Sequence, residues 1–422
     1  MEKFLKSLCL FFIAVVLFFG IRDYIESEKA TEDSSTVTTP NEDEENPTSH
    51  LFLNYISNND ATIESDGTET AKCECCDLTN TRIDEDSHQV VTNYNIDENT
   101  SYSGTLVYNI PQGNGTLFYA DLNCSYTGAI ENGKAHGEGT YTWLEDSTIF
   151  SGTFFEGVAT YGKTTTTKTD GLIWYEGAML NVSEINPAVK GYGYYAYEST
   201  GCNFIGAMYA ESDMSGCTFD GDGIFNWPSG WQYVGQFENS VATYGKTTTT
   251  KTDGLIWYEG AMTGEIVDGW AQFVIVSEEL GTGYYRYENT MDYTGQMYGS
   301  GSLESCTFHG TGTFNWTTYN EDGSVKEWSN RYIGQFVNGG ATGLVGTMYY
   351  AISLDGLNSA GLHYFNGIMK ELGTVQPDQT GTGKIVFEDG SYYIGDVYLD
   401  ASNVASVTGT GTYYNADGSL KE

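Results

Sequence analysis

An aromatic residue followed two positions later by glycine recurs along this chain, and eleven of these pairs follow one another at a nearly constant spacing. The aromatic residues are Tyr102, Tyr126, Phe150, Tyr175, Phe204, Tyr233, Tyr258, Tyr293, Tyr332, Phe365 and Tyr393, at spacings of 24 to 39 residues. Between most of them stands Gly-x-Gly followed by further aromatics, as in the stretch from Gly137 to Trp143. Self-similarity at a nearly constant period indicates a repeat architecture, in which each unit packs on its neighbours.

The pattern within a unit predicts β-hairpins. Read with the period of two that a strand has, Gly137, Gly139, Tyr141 and Trp143 fall on one face, and the intervening Glu and Thr residues fall on the other. Glycine leaves bare backbone on which a ring from a neighbouring strand can lie. We therefore expect the all-β class, with residues 101–422 forming an elongated single-layer antiparallel β-ribbon of consecutive hairpins.

One unit carries a family resemblance. The stretch Tyr126–Trp143, with the sequence YTGAIENGKAHGEGTYTW, resembles the MORN repeat, whose pattern is Tyr-x-Gly, Asn-Gly, Gly-x-Gly and an aromatic residue. Other units depart from this pattern, and two of them have a single glycine, Gly162 or Gly245, in place of Gly-x-Gly. The resemblance covers residues 101–422 and implies a membrane-associated scaffold, self-association or contact with lipid.

A duplication lies inside the repeats. The 22 residues Val158–Met179 recur without change as Val241–Met262. Together with weaker internal matches, they indicate two leading hairpins and then three copies of a three-hairpin module, which start near Phe150, Tyr233 and Tyr332. Growth by copying suits length or multivalent display and does not suit a single catalytic pocket. We expect a non-enzymatic protein with no catalytic residues, no cofactor and no metal.

The charge of the chain limits its partners. It has 57 acidic and 18 basic residues, a net charge of −39, and residues 101–422 account for −24 of it, with 36 acidic and 12 basic residues. Nucleic acids and anionic lipid surfaces are attracted by Lys and Arg, so this balance excludes nucleic acid as a main partner. It also conflicts with the phospholipid binding that the family resemblance implies.

The N-terminal 21 residues predict a membrane anchor. From Phe4 to Ile21 the chain is apolar except for Lys6 and Ser7, and 18 helical residues nearly span a bilayer core. The lysines before this run and the acidic stretch after it indicate a single-pass protein, with a cytoplasmic N-terminus and an extracytoplasmic repeat array. The alternative is a cleaved signal peptide and a secreted protein.

Residues 22–100 are interpreted as an acidic disordered linker, because 20 acidic and 4 basic residues leave too little apolar surface to fold. Within it, Cys73, Cys75 and Cys76 are three thiols in four positions. They would suit a soft metal or a link between two chains. Since no second ligand cluster is evident, an interchain disulfide or unused thiols is the preferred interpretation.

The four cysteines of the array and the five histidines of the chain are the next candidates for chemistry. The array cysteines Cys124, Cys202, Cys217 and Cys306 fall on the aromatic face, which predicts small buried apolar positions, with disulfides as the alternative. The histidines His50, His88, His136, His309 and His363 stand alone in the sequence, which is unfavourable for catalysis. Asp220-Gly-Asp222 is a weak calcium motif for which turn residues are the simpler interpretation.

Two features are candidates for an interaction surface. One is the stretch Lys-Thr-Thr-Thr-Thr-Lys-Thr at 163–169 and 246–252, and the other is the aromatic face. The candidate residues are Lys163, Lys168, Lys246, Lys251, Trp174, Tyr175, Trp257, Tyr258, Tyr364 and Phe365. They suggest a scaffold that mediates protein contact or self-association; the alternative is a glycan or cell-wall binding module that stacks sugars on open rings. A Thr-rich strand and ordinary core packing would explain the same residues.

Overall fold

The computed structural model describes residues 50–422 except 268, 288–290, 303–304, 317–323, 325–327 and 354–359. Within these residues the secondary structure consists of 31 strands. No helix in this part of the chain is long and apolar enough to cross a membrane. The predicted anchor, residues 1–21, and residues 22–49 of the predicted linker lie outside the described residues.

The chain divides into two compact units. The first contains the described residues up to Tyr55 together with Ala71–Asn80, and the second contains Ile56–Thr70 and Thr81–Glu422. Four strands lie where the sequence predicted a disordered linker: β1 (Ile56–Ser57), β2 (Gly67–Lys72), β3 (Thr79–Asp84) and β4 (His88–Asn95). Strands β1 to β3 form a small sheet of their own, whereas β4 is the first strand of the long sheet.

The long sheet continues through the leading hairpins and the three modules. The leading strands are β5 (Thr100–Val107), β6 (Ile110–Tyr119), β7 (Cys124–Glu131) and β8 (Lys134–Trp143). Module one contains β9 (Ile149–Phe155), β10 (Val158–Thr165), β11 (Gly171–Asn181), β12 (Glu184–Ile185), β13 (Gly191–Tyr197), β14 (Cys202–Ala210) and β15 (Cys217–Asn226). Module two contains β16 (Gln232–Glu238), β17 (Val241–Thr248), β18 (Gly254–Thr263), β19 (Ile266–Val267), β20 (Trp270–Ala271), β21 (Val274–Ile275), β22 (Leu280–Tyr287), β23 (Met291–Gly299) and β24 (Cys306–Trp316). Module three contains β25 (Trp328–Phe336), β26 (Val345–Ser353), β27 (Gly361–Glu371), β28 (Thr374–Val375), β29 (Gln379–Val386), β30 (Tyr392–Leu399) and β31 (Ala405–Tyr414).

Each long strand of this sheet pairs antiparallel with the next long strand. In each module, the end of one long strand also pairs with a short strand, at β11–β12, β18–β21 and β27–β28. The same three long strands also pair with the next long strand, giving the pairings β11–β13, β18–β22 and β27–β29. This recurrence confirms the predicted three modules, and the pairings confirm an all-β fold of antiparallel hairpins.

The core of the sheet is built from the eleven repeated rings. Every one of them is at most 1% exposed, and each lies against two glycines, one on its own strand and one on a neighbouring strand. In the best-matching unit, Gly128 pairs directly with Gly139 across the strands, and the Tyr126 ring covers both. A Cβ on Gly128 would lie 2.7 Å from Tyr126 Oη, so only glycine fits there. The buried hydroxyl donates a hydrogen bond to the carbonyl oxygen of Ala129 at 2.7 Å.

The same unit shows how the hairpins close. Asn132 and Gly133 both have positive φ, at 52° and 75°, between the paired residues Glu131 and Lys134. Two central residues with positive φ define the type I′ turn, whose twist matches that of the flanking strands. A register shift follows between Gly128 and Ile130, and bulges of this kind increase the local twist of the sheet.

Candidate functional site

The predicted aromatic surface divides between the two faces of the sheet. Tyr175, Tyr258 and Phe365 are completely buried and belong to the set of core rings that cover glycines. They are therefore part of the core, and not part of an open surface. The preceding residue in each strand points the opposite way, because side chains alternate along a strand. Trp174, Trp257 and Tyr364 accordingly lie half-buried on the other face, outside the core.

On that outer face, two of the predicted lysines cover two of the predicted tryptophans. Lys163 Nζ lies 3.9 Å from the centre of the Trp174 ring, and Lys246 Nζ lies 4.2 Å from the centre of the Trp257 ring. An ammonium group over an indole ring is held by the ring quadrupole, with about 0.5–1 kcal/mol at exposed sites. We call these two contacts the Lys–Trp pairs. They leave one face of each indole unavailable for stacking.

The other two predicted lysines have different environments. Lys251 Nζ lies 5.2 Å from the centre of the Trp231 ring in module two. In module one Lys168 is exposed and lines a cleft together with two carboxylates, Asp146 and Asp213.

The two carboxylates are held in their charged form. A backbone hydrogen bond from Thr148 is the main reason that the pKa of Asp146 is lowered, and a side-chain hydrogen bond from Ser215 acts in the same way on Asp213. The Lys168 ammonium lowers both pKa values further. The mouth of the cleft therefore carries two negative charges and one positive charge.

This cleft, which we call the module-one cleft, has a volume of about 220 Å³. Its lining combines apolar side chains with polar and charged ones. The lining residues are Trp143, Asp146, Thr148, Thr164, Thr166, Lys168, Met179, Val182, Ser183, Ile185, Asp213 and Met214. Its position follows from the short strand β12, where Ile185 pairs with Met179 at the end of β11.

In module two a ring from the protein itself takes this place. Met262, the counterpart of Met179, pairs with Ile275, which lies thirteen positions further on and not six as in module one. The additional residues form the hairpin β19–β20 and bring in Phe273, which is 3% exposed. Phe273 packs at 5.6 Å between ring centres on Trp227, the counterpart of Trp143 in the cleft wall.

Module three again has a cleft at the corresponding place. It has a volume of about 290 Å³ and is lined by Tyr350, Leu362, Gly373, Thr374, Val375 and Asn403. Val375 pairs with Met369, as Ile185 pairs with Met179 in module one. We call it the module-three cleft.

The cysteines of the array are unpaired thiols in the structure. Cys124 and Cys202 are buried, whereas Cys217 and Cys306 are half-buried and pack against the core. Burial raises the pKa of Cys217 and of Cys306 to about 12. The thiols of Cys217 and Cys306 are therefore in the neutral form near neutral pH.

The Asp220-Gly-Asp222 motif has structural partners. Asp220 Oδ1 accepts a hydrogen bond from Lys190 Nζ at 2.6 Å, and this contact is the main reason that its pKa is lowered. Asp222 Oδ1 accepts a hydrogen bond from Gln236 Nε2 at 2.7 Å. The two carboxylates are thus bound to protein groups from two different segments of the chain.

Sequence reasoning missed one association. His50, which was expected to stand alone, lies beside Cys73, Cys75 and Cys76, and the ligand atoms of the four residues are all within 4.8 Å of one another. A hydrogen bond between the Cys73 and Cys75 sulfurs, 3.0 Å apart, lowers the pKa of Cys73 to about 6 and raises that of Cys75 to about 11. The CxCC pattern was the available signal, but the 22 residues between His50 and Cys73 concealed the fourth member.

No family model matches the chain, and no curated protein matches it significantly. The likeness to the MORN repeat therefore depends on the residues of the Tyr126–Trp143 unit and on the repeat to which this unit belongs.

Proposed function

We propose that this protein is a non-enzymatic scaffold of the MORN-repeat type, anchored in a membrane by residues 1–21, which binds a protein partner through the module-one cleft. One observation carries the proposal. Two modules contain the same 22 residues, yet in module two Phe273 packs on Trp227, the counterpart of Trp143, whereas module one leaves a cleft of about 220 Å³ beside Trp143. The chain thus contains its own example of the side chain that such a site accepts.

The size and lining of the cleft favour an aromatic side chain. An apolar cavity of about 150 Å³ is large enough for benzene, so the module-one cleft has room for a phenyl ring. Trp143, Met179, Ile185 and Met214 supply its apolar walls. Pockets with apolar walls and a few polar groups at the rim are typical of specific binding sites. Desolvated aromatic anchors supply much of the affinity in protein interfaces.

The charge of the module-one cleft indicates which residues should flank the aromatic ring of a partner. The cleft mouth has two carboxylates for one lysine, and residues 101–422 carry a net charge of −24. A partner segment with basic residues beside its aromatic residue is attracted by this field, whereas a second copy of the chain, itself at −39, is repelled. We therefore favour a basic, aromatic segment of another protein over self-association.

The two alternatives have less support. Stacking of a sugar on Trp174 or Trp257 would compete with the lysine ammonium that already covers each ring. Binding of anionic phospholipid would oppose the negative field of the array. Both alternatives remain as outcomes of the experiment below.

The test uses the full-length chain and two synthetic peptides, one with a single Phe between lysines and one with Ala in its place. Fluorescence anisotropy should show at least tenfold tighter binding of the Phe peptide. Met214→Trp, which fills the cleft from its wall, should abolish that difference, whereas Tyr209→Trp, on an exposed position of β14, should leave it unchanged. Equal binding of the two peptides, or binding of glycan or anionic vesicles that Met214→Trp does not alter, would refute the proposal.

A further inference from the structure

A cluster of four potential metal ligands lies in the first unit, outside the repeat array. His50 Nδ1 is 3.6 Å from Cys73 Sγ, 4.0 Å from Cys75 Sγ and 3.4 Å from Cys76 Sγ. All four ligand atoms are within 4.8 Å of one another. We infer that these four residues bind a single zinc ion, as a site that stabilises this unit.

The distances match those of a tetrahedral zinc site. With Zn–S bonds of about 2.3 Å and a Zn–N bond of about 2.0–2.1 Å, tetrahedral angles place sulfur about 3.5 Å from nitrogen and about 3.8 Å from sulfur. The three S···N distances lie within about 0.5 Å of that value. Cys73 and Cys75, with sulfurs 3.0 Å apart, are far beyond the disulfide length of about 2.05 Å. A small rotation of either side chain brings this pair to the tetrahedral separation.

Backbone hydrogen bonds hold the ligands together. The amide of Cys73 donates to the carbonyl oxygen of Leu78 at 2.8 Å, which closes the turn that carries the three thiols. The amide of Glu74 donates to the carbonyl oxygen of Leu51 at 3.2 Å, which fixes the segment containing His50 beside that turn. The ligands therefore come from two chain segments that backbone hydrogen bonds hold side by side.

The ligand set specifies the kind of metal and its role. Thiolate and imidazole ligands favour zinc over magnesium or calcium, which require oxygen. Four protein ligands complete a tetrahedron and leave no open position for substrate, which is typical of structural zinc sites. His50 and Cys75 are exposed, so the metal has a path from solvent.

The first unit has a physical need for such a site. Among its described residues, Ala71 and Cys73 are the only buried apolar side chains. So small a core among these residues is typical of segments that a disulfide, a metal or another constraint stabilises. The binding free energy of a structural zinc adds directly to folding, because the unfolded chain has no preformed site.

The experiment measures the metal content of the full-length chain purified with reductant and without chelator. Mass spectrometry should find one zinc per chain in the wild type, and cobalt(II) should give the intense thiolate charge-transfer absorption of tetrahedral coordination. His50→Ala and Cys76→Ser should each weaken zinc affinity at least tenfold in competition with a chromophoric chelator. Cys217→Ala is the matched control, since it removes a thiol of the array at a position where module three has Ala405.

A conservative variant separates loss of the site from loss of the fold. His50→Cys should retain one zinc per chain, because four thiolates form an equally good tetrahedral site. Less than 0.1 zinc per chain in the reduced wild type, or zinc that survives His50→Ala and Cys76→Ser together, would overturn the inference. So would a Cys73–Cys75 disulfide found by peptide mapping of the freshly purified chain. Peptide binding at the module-one cleft is measured separately, so the two proposals stand or fall independently.

Discussion

The segments Val158–Met179 and Val241–Met262 are identical in sequence but not in environment. Both form the same pair of strands in the same register, with Gly162 opposite Gly177 and Gly245 opposite Gly260. Both place a lysine over a tryptophan on the outer face at nearly the same distance. Thr166, in the wall of the module-one cleft, is half-buried, whereas its counterpart Thr249 is buried. The two copies thus form the same strands, but the side chains that pack over these strands differ.

The difference originates outside the identical residues. In module one, residues 180–190 contain no aromatic residue, and Ile185 pairs with Met179 after a short turn. In module two the longer connection carries Phe273 onto Trp227. A duplicated scaffold can therefore keep its core and diverge in its binding surface by changing one loop, because loops tolerate insertions that strands do not.

The largest effect on the difference between the two modules is expected when the Phe273 ring of module two is removed. Phe273→Ala should destabilise module two by about 3–5 kcal/mol, through lost burial and the cavity left behind. Hydrogen exchange followed by mass spectrometry should show faster exchange in β16 to β18 and little change in β9 to β11, since repeat units are coupled mainly to their neighbours. Equal acceleration in both modules would contradict a local role.

The same variant also tests the proposed function. If the opened space resembles the module-one cleft, Phe273→Ala should add one site for the Phe peptide, visible as a binding stoichiometry that rises by one per chain in calorimetry. Trp270→Ala is the control, because Trp270 lies in the same inserted hairpin but is 51% exposed. It should change neither stability nor stoichiometry.

The fold was largely predictable because its determinants are local and repeated. The ring-on-glycine contact requires an aromatic residue and glycines at set spacings, and the sequence displays these eleven times. The strands at 56–95 were missed since their segment is acidic and lacks the repeat. In β3, for example, nearly every side chain is exposed, so no alternation of apolar and polar residues marks it.

A second test concerns what the two copies share. A Cβ on Gly162 would lie 2.5 Å from Cζ of the Phe150 ring, and one on Gly245 would lie 2.7 Å from Cε2 of the Tyr233 ring. Gly162→Val and Gly245→Val should therefore each cost about 2–3 kcal/mol, because the ring and backbone cannot both move away. The measurement is chemical denaturation of each variant, with Thr160→Val as an outer-face control. A cost below about 0.5 kcal/mol at either glycine would show that the ring has room to move.

The binding features were less predictable, because they arise where segments distant in sequence meet. Lys163 and Trp174 were both identified, but their contact depends on the register between β10 and β11. Phe273 had no distinguishing pattern, since its role depends on the length of the loop that carries it. His50 likewise becomes a candidate ligand only when the chain returns to it from Cys73.

The Lys–Trp pairs allow a third, smaller test. Lys163→Met and Lys246→Met keep the alkyl chain over the indole and remove the charge. Each should cost about 0.5–1 kcal/mol, the range for exposed cation–π contacts, and the two costs should agree because the Lys–Trp distances in the two copies are nearly equal. Thermal unfolding of the single variants and of the double variant checks both size and additivity. Costs that differ by more than about 1 kcal/mol would mean that the outer faces of the two copies are not equivalent.

The smallest effects on stability are expected at Lys168 and Lys251, the last pair of equivalent lysines in the two copies. Lys251→Met gives up a distant contact with Trp231, while Lys168→Met leaves Asp146 and Asp213 without a nearby cation, and both changes should alter stability by less than about 0.5 kcal/mol. Their effects on binding should differ. Lys168→Met makes the mouth of the module-one cleft more negative, so affinity for the basic Phe peptide should rise a few fold at low salt and return to the wild-type value at high salt. Lys251→Met should leave that affinity unchanged, and an equal rise in both variants would assign the attraction to the net charge of the array and not to the cleft.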